Sequence, residues 1–204
     1  MKALMLIGAR TGGTTDSLCR QWEKGFTENT DNTVEKIYLF TKKINGCLGC
    51  RKCKETGSCV WKDDADDILE KILNADILVF ASPVYFYSIT AQLKLILDRT
   101  FSIEDKIRNK KTFFITSAAA PDEEQYRKFL QTAIDTYHGY VQCYHGELKD
   151  LGYITAYGMA TETDITKHSE YKLAYEKGKV IGNGKDKCIR KQICFYKSVQ
   201  SLYI

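Results

Sequence analysis

The apolar run Lys-Ala-Leu-Met-Leu-Ile-Gly at residues 2–8 passes directly into Ala-Arg-Thr-Gly-Gly-Thr-Thr-Asp at residues 9–16, and this junction decides the fold. Leu18, Trp22 and Phe26 then recur at helical spacing. The pattern predicts a buried strand, a glycine-rich turn and an amphipathic helix.

The turn at residues 9–16 has the chemistry of a phosphate site. It brings hydroxyls and backbone N–H groups to a helix N-terminus, and Arg10 adds a positive fork. The turn lacks the G-x-x-x-x-G-K-[ST] motif, which disfavours a nucleoside triphosphate as ligand, and it lacks G-x-G-x-x-G, which disfavours a dinucleotide. A phosphomonoester remains as the expected ligand. An ordinary strand-to-helix turn with a threonine cap is the alternative.

Strands and helices alternate along the rest of the chain. The sequence predicts further strands over residues 34–40, 76–81, 112–116 and 141–148, and helices from residue 63 and over residues 89–101, 123–140 and 170–181. Five alternations at this length indicate an α/β fold with a doubly wound five-stranded parallel sheet, helices on both faces and the flavodoxin-like order 2-1-3-4-5.

Three loops are expected at the carboxyl edge of that sheet, where open α/β folds bind ligands. Besides the first turn, these are Ser82-Pro83-Val84-Tyr85-Phe86-Tyr87-Ser88 after the third strand and the small residues 117–121 after the fourth. The aromatic side chains can line a planar ring, although aromatic residues on a loop also pack into cores.

Half of the eight cysteines lie within thirteen residues, as Cys47, Cys50, Cys53 and Cys59 in the spacing C-x2-C-x2-C-x5-C. Thiolates this close repel one another unless a metal, a cation or oxidation compensates them. A near-continuous run of this kind is typical of ferredoxin-like ligation of an iron-sulfur cluster, whereas zinc sites usually draw on two separated pairs. A redox disulfide such as Cys50 with Cys53, zinc and inert packing remain alternatives.

The cysteine loop, defined here as residues 42–62, is strongly basic. Six lysines and arginines oppose Glu55 alone, namely Lys42, Lys43, Arg51, Lys52, Lys54 and Lys62. Positive charge lowers thiol pKa values and stabilises an anionic cluster. The charge therefore favours the cluster interpretation.

Length and composition indicate one domain, because 204 residues with 44% hydrophobic content support one well-buried core. We expect this domain at residues 1–182 and a C-terminal extension of unknown structure at 183–204, which carries the net charge of +4. No RNA- or DNA-binding signature accompanies that charge, so nucleic acid is not an expected partner. The only candidate export signal, residues 3–9, is better explained as a strand, and no apolar run approaches ~20 residues, so we expect a cytoplasmic protein without membrane association.

These motifs together resemble the flavodoxin-fold NADPH-dependent FMN reductases, and within them the iron-sulfur flavoproteins, over roughly residues 1–182. The first loop is similar to S-P-R-x-x-G-N-T. The four cysteines followed by Asp63-Asp64, and the S-P-V-Y-F loop leading to Leu93-Lys94 and Asp98-Arg99, match as well. Gly8 and Ala9 depart from the family's Ser and Pro, which removes one hydroxyl contact and makes the loop less rigid.

The resemblance implies FMN as cofactor and a 4Fe-4S cluster on Cys47, Cys50, Cys53 and Cys59. It implies that the first loop holds the phosphate, the third-strand loop lines the isoalloxazine and the fourth-strand loop completes the ring site. The implied cofactor-binding residues are Ala9, Arg10, Gly13, Thr14, Thr15, Ser82, Pro83, Val84, Tyr85, Phe86, Ser117 and Ala118. No catalytic residue is assigned.

The leading functional hypothesis is an FMN-dependent oxidoreductase that exchanges electrons between NAD(P)H or ferredoxin and a small-molecule or protein redox partner, with the cluster passing electrons singly. An NAD(P)H-dependent FMN or quinone reductase without a cluster is one alternative. A non-enzymatic electron carrier that docks ferredoxin through the basic loop is another. The resemblance also implies a homo-oligomer, a dimer or tetramer, in which a neighbouring subunit covers the exposed flavin edge.

Overall fold

A computed structural model of the chain describes residues 1–160 and 164–185. Its sheet has five parallel strands in the order β2-β1-β3-β4-β5. The strands are β1 Lys2–Ile7, β2 Thr33–Tyr38, β3 Ile77–Pro83, β4 Lys110–Ser117 and β5 Leu148–Ala156. This order confirms the doubly wound fold expected from the alternating pattern.

The described residues contain six α-helices, and all of them except the shortest, which has no buried residue, pack against the faces of the sheet. They are α1 Thr14–Phe26, α2 Lys52–Thr56, α3 Ala65–Asn74, α4 Ala91–Arg99, α5 Glu124–Gln142 and α6 Ser169–Gly182. Short 3-10 segments occupy Leu39–Thr41, Thr100–Lys106 and Ile165–Lys167. Helices α1 and α6 pack on one face, and α3, α4 and α5 pack on the other.

The central strands send successive side chains to opposite faces, as the period of two requires. In β1, Leu4 and Leu6 enter the core under α3 to α5, while Met5 and Ile7 enter the core under α1 and α6. Both faces are covered, so β1 and β3 read as continuous apolar runs rather than as alternating ones. The sheet is a rigid platform whose carboxyl edge carries the loops.

Helices α1 and α6 approach each other through glycines. A Cβ added at Gly178 would overlap the carbonyl oxygen of Trp22, and one added at Gly25 would overlap that of Tyr175. The two backbones are therefore in direct contact, which fixes the position of α1 and of the turn that precedes it.

The fifth strand was predicted at residues 141–148, and this prediction was wrong. Tyr137, Val141 and Tyr144 are buried at intervals of four and three residues, which is a helical spacing, and α5 runs on to Gln142. His145 at φ 47° and Gly146 at φ 94° then turn the chain. The strand begins at Leu148 and is a half-buried edge strand, so its sequence LKDLGYITA lacks the apolar run that identified the others.

The remaining boundaries differ from prediction by a few residues. The second strand ends at Tyr38 and continues as a 3-10 turn, and the helix expected over residues 89–101 is α4 followed by a 3-10 segment. Helix α6 ends at Gly182, and residues 186–204 of the predicted extension lie outside the described residues. In the described ranges no helix has both the length and the apolar character needed to cross a membrane.

Candidate functional site

A cavity of about 570 Å³ opens at the carboxyl ends of β1, β3 and β4, where the strand order reverses. Open α/β sheets bind ligands at this position. Ten of the twelve residues predicted to bind the cofactor line the cavity, namely Ala9, Arg10, Gly13, Thr14, Thr15, Pro83, Val84, Tyr85, Ser117 and Ala118. Their role in binding stays a prediction, but the structure brings them to one place.

One end of the cavity is the N-terminus of α1. Gly13 is its N-cap and no side chain caps the helix, so the first N–H groups lack an internal acceptor and face the cavity rim. Arg10 is exposed, its side chain folds back towards Gly13, and it has no hydrogen bond or ion pair with a described residue. Free N–H groups, a helix dipole and an uncommitted guanidinium together form a good phosphate site.

Asp16 stabilises the turn at residues 9–16 through its side chain. Its buried carboxylate accepts hydrogen bonds from the Gly12 N–H at 2.8 Å, from the Tyr38 hydroxyl at 2.7 Å and from Arg20 Nε at 3.0 Å. Burial alone would raise the pKa of Asp16, but these hydrogen bonds lower the pKa below its usual value. The carboxylate therefore stays charged and committed, which fixes the loop without occupying the cavity.

The hydroxyls of Thr15 and Ser117 lie 2.8 Å apart and are buried. This contact ties the first loop to the end of β4 at the cavity floor. The resemblance implied a phosphate contact for Thr15; its hydroxyl is engaged with Ser117, and its backbone N–H is among the first N–H groups of α1. The Thr14 hydroxyl has no hydrogen-bond partner among the described residues.

The other end of the cavity has an apolar wall made of Pro83, Val84 and Ala118. The Val84 N–H donates to the carbonyl of Ser117 at 2.8 Å, and the Ala118 N–H donates to the carbonyl of Ala156 at 2.8 Å. The walls from β3 and β4 are thus fixed to the sheet, and a planar ring would lie against them.

Two predicted residues do not line this cavity. The Ser82 side chain points into the core, where its hydroxyl donates to the Pro83 carbonyl at 2.8 Å and accepts from the Thr90 N–H at 2.8 Å. Phe86 lies fully exposed at the tip of a tight turn between Tyr85 and Ser88. Phe86 and Tyr87 both have positive φ, at 48° and 63°, a conformation that is strained for aromatic residues and typical of functional loops.

Gly8, the departure from the family's Ser, has a physical reason in this chain. A Cβ at this position would overlap the Thr90 hydroxyl and would come within 3.1 Å of Leu93 Cβ. The start of α4 therefore excludes a side chain at residue 8. The close packing of Thr90 fixes the loop that the missing proline would have stiffened.

Sequence reasoning missed the fourth side of the cavity. Met159, Ala160 and Asp164–Thr166 line it, and they follow β5, which was misplaced. Asp164 Oδ1 accepts from the Thr166 N–H at 3.0 Å and from the Thr166 hydroxyl at 2.7 Å. An Asp-x-Thr turn signal was present in the sequence, but only a correct position for β5 would have linked it to the site.

The cysteine loop lies on the surface beside α4. Cys47 and Cys50 are exposed, Cys53 and Cys59 are half-buried, and all four are free thiols. In residues 1–160 and 164–185, no group of three or more His, Cys, Asp or Glu side chains is placed to hold a metal ion. The loop must therefore close inward for four thiolates to meet.

The base of the loop is fixed by Asp63. Its Oδ2 accepts from the Asn45 N–H at 2.8 Å and from Arg99 Nη1 at 2.8 Å, and its Oδ1 accepts from the Ala65 N–H at 3.0 Å. Burial would raise the pKa of Asp63, but the hydrogen bonds from Arg99, Asn45 and Ala65 lower the pKa to about 2. Both ends of the loop are thus joined to α3 and α4, while the cysteines between them remain exposed or half-buried.

The residues present fit the flavin as they are placed, and they fit the cluster in kind and number but not in the placement that the structure gives them. An uncapped helix N-terminus beside an unpaired arginine fits the FMN phosphate, and the apolar wall fits the ring. Four free thiols fit a 4Fe-4S cluster in kind and number. Arg51, Gly49 and Gly57 adopt left-handed conformations, which give the loop sharp turns next to its cysteines.

Comparison with curated proteins finds similarity to iron-sulfur flavoproteins. One, from Methanocaldococcus jannaschii, is 41% identical over 113 residues, which are 54% of this chain and 58% of the relative. Another, from Archaeoglobus fulgidus, is 38% identical over 100 residues, which are 48% of this chain and 45% of the relative. The chain thus spans about half the length of these curated relatives.

Comparison with solved structures supports the fold. The NAD(P)H:quinone oxidoreductase from Methanothermobacter marburgensis superposes with a TM-score of 0.68 at 16% identity, covering 91% of this chain and 98% of that one. At this identity the likeness concerns the fold alone. The family model described as NADPH-dependent FMN reductase matches residues 1–142 of the 204. The chain therefore belongs to the NADPH-dependent FMN reductase family.

Proposed function

We propose that this protein is an FMN-dependent oxidoreductase that takes electrons from NAD(P)H, and that Cys47, Cys50, Cys53 and Cys59 hold a 4Fe-4S cluster. The observation that carries the FMN proposal is the single cavity that joins the uncapped N-terminus of α1 and Arg10 to the wall of Val84 and Ala118. Membership of the family agrees with this assignment.

The residues of the cavity divide into a phosphate end and a ring end. Arg10, the Thr14 hydroxyl and the first N–H groups of α1 bind the phosphate through charge-assisted hydrogen bonds. Pro83, Val84 and Ala118 exclude water from one face of the ring. FMN, when bound, supplies the ability to exchange electrons in pairs or singly.

The cysteine loop supplies a second redox centre in this proposal. Its four thiolates ligate the cluster, and the lysines and arginines of the loop offset the negative charge. Lys42, Lys43, Arg51 and Lys52 are all exposed. This surface also suits an acidic protein partner such as ferredoxin, and that feature favours the electron carrier as the second candidate function.

The exposed aromatic turn supports a homo-oligomer, a dimer or tetramer. Tyr85, Phe86 and Tyr87 are 60%, 103% and 54% exposed, and large apolar side chains grouped on one loop beside a ligand cavity are typical of interaction surfaces. A neighbouring subunit covers the ring edge in this arrangement.

The free thiols of the described residues suit a reducing compartment, so we place the protein in the cytoplasm.

The test is purification without air, followed by flavin, iron and sulfide analysis and by steady-state assays. We expect one FMN per chain, a broad absorbance beyond the flavin bands, and NADPH or NADH oxidation with added quinone or FMN. Rapid reduction by ferredoxin without NAD(P)H turnover would favour the carrier. Failure to bind FMN on reconstitution would contradict the proposal.

A further inference from the structure

Arg99, the last residue of α4, is the only charged side chain among the described residues that ranks with the large, fully buried ones. One terminal nitrogen, Nη1, carries all its described hydrogen bonds, to Asp63 Oδ2 at 2.8 Å and to the carbonyl of Asn45 at 3.0 Å. The other two, Nε and Nη2, are buried and have no hydrogen-bond partner among the described residues. Buried guanidinium donors without acceptors are costly, so a reason for them is needed.

Arg99 lies where the two ends of the cysteine loop meet. Asn45 stands two residues before Cys47, and Asp63 stands four residues after Cys59. Between them, Trp61 Nε1 donates to the carbonyl of Gly46 at 3.1 Å, and Gly46 packs beside Leu95, one turn before Arg99 on α4. The guanidinium is therefore at the base of the loop that carries all four candidate ligands.

The hydrogen-bond donors of Arg99 are not all satisfied at this position. Asp63 is the one carboxylate in hydrogen-bond contact with Arg99 in the described residues, and it is shared with Asn45 and Ala65. Cys59, the last of the four cysteines, lies four residues before Asp63 in the chain. An anionic sulfur ligand brought to the base of the loop would supply the acceptor that Nε and Nη2 lack among the described residues.

We propose that Arg99 is a positioning residue for the cluster, resting on the cluster assignment made above. When the loop closes, Nε–H and Nη2–H donate hydrogen bonds to sulfur at the base of the cysteine loop, while Nη1 keeps both ends of the loop in place. Hydrogen bonds to sulfur and a buried positive charge stabilise the reduced, more negative state, so Arg99 raises the reduction potential of the cluster.

A purely mechanical role is the alternative, in which Arg99 only joins Asn45 to Asp63. The reduction potential separates the two, because a connection that merely holds the loop does not tune the cluster. The variant is Arg99→Lys, which keeps the charge but loses the planar fork. The matched control is Arg108→Lys, a half-exposed arginine whose ion pair is with Glu147.

The experiment is an anaerobic redox titration of the reconstituted variants, followed by electron paramagnetic resonance of the cluster. At the wild-type midpoint we expect about tenfold less of the reduced form relative to the oxidised form in Arg99→Lys, a shift of about 59 mV to lower potential for a one-electron couple. Arg108→Lys should titrate like wild type. A fully assembled cluster with an unchanged midpoint in Arg99→Lys would overturn the inference.

Two further measurements keep the outcomes separate. If Arg99→Lys fails to retain iron, Asp63→Asn decides, because it breaks the same ion pair at the base of the loop but keeps Nε and Nη2 of Arg99: iron retained in Asp63→Asn supports a role towards the cluster, and iron lost in both variants shows a mechanical role and overturns it. If wild type itself binds no iron and sulfide after reconstitution, the cluster assignment fails and this inference fails with it.

Discussion

The hydroxyl of Thr15 lies 2.8 Å from the hydroxyl of Ser117 across the floor of the cavity, joining two residues that are 102 positions apart in the chain. Both residues are nearly fully buried, with 3% and 5% exposure. This hydrogen bond connects the N-terminus of α1 to the end of β4. It fixes the distance between the phosphate end and the ring end of the proposed flavin site.

Replacing Thr15 with Val should therefore reduce stability rather than phosphate recognition. The change leaves the Ser117 hydroxyl buried without its partner, which costs about 1 to 3 kcal/mol. Urea unfolding of the apo-protein measures this cost. Affinities for FMN and riboflavin should fall by similar factors, because the distorted floor affects both. A loss confined to FMN would show that the Thr15 hydroxyl contacts the phosphate instead.

Arg10→Ala tests the phosphate end directly. The exposed Arg10 side chain has no competing partner among the described residues, so its removal should weaken FMN binding by about 1.5 to 3 kcal/mol, roughly ten- to a hundredfold. Riboflavin lacks the phosphate, and its affinity should be unchanged. Thr14→Val should show the same selectivity with a smaller effect. Equal FMN affinity in Arg10→Ala and wild type, measured by fluorescence quenching, would exclude Arg10 from the site.

The local part of this site was readable from the sequence, and the long-range part was not. The glycines and threonines of residues 9–16 predict a turn before a helix, because the conformation of a turn depends on residues that are adjacent in the sequence. The Thr15 to Ser117 contact depends on the register of β4, which no local pattern reveals. The loop at 164–166 was missed because β5 is an edge strand of mixed polarity, while the apolar residues before it follow a helical spacing.

Gly178→Ala tests the close approach of α1 and α6. A Cβ at residue 178 would overlap the carbonyl of Trp22, so we expect destabilisation by about 1 to 3 kcal/mol despite the better helix propensity of alanine. The matched control is Gly139→Ala in α5, where a Cβ meets no atom within 4 Å. That change should stabilise the protein by about 0.5 to 1 kcal/mol. Chemical denaturation measures both, and equal effects at the two positions would contradict the packing explanation.

Asp63→Asn tests the buried ion pair with Arg99. It removes the carboxylate partner of a guanidinium whose side chain is 0% exposed, and breaking such a pair costs about 3 to 5 kcal/mol at neutral pH. The lowered pKa of Asp63 gives the sign of the pH dependence. The contribution of the charged Asp63 to the free energy of unfolding is full above the pKa of the unfolded state, near 4, and is lost as the pH falls through about 2.

The stability difference between wild type and Asp63→Asn should therefore shrink between pH 4 and about 2. The control is Asp67→Asn, which removes an exposed pair with Lys71 and should change stability by less than about 1 kcal/mol. A difference that stays constant down to pH 2 would show that the ion pair does not contribute through the charge of Asp63.

The cluster assignment predicts opposite results for substitutions of two cysteines, Cys53 and Cys19. Cys53 is a half-buried free thiol in the loop, while Cys19 lies on α1 with its side chain fully buried in the core, where burial raises the pKa of its thiol. Anaerobic protein should contain about four iron and four sulfide per chain if the cluster is fully assembled. Cys53→Ser should lose most of both while keeping FMN, because the flavin loops follow other strands, and Cys19→Ser should lose neither. Reconstituted wild type that shows only flavin bands and four free loop thiols would refute the cluster and leave an FMN reductase with a thiol loop.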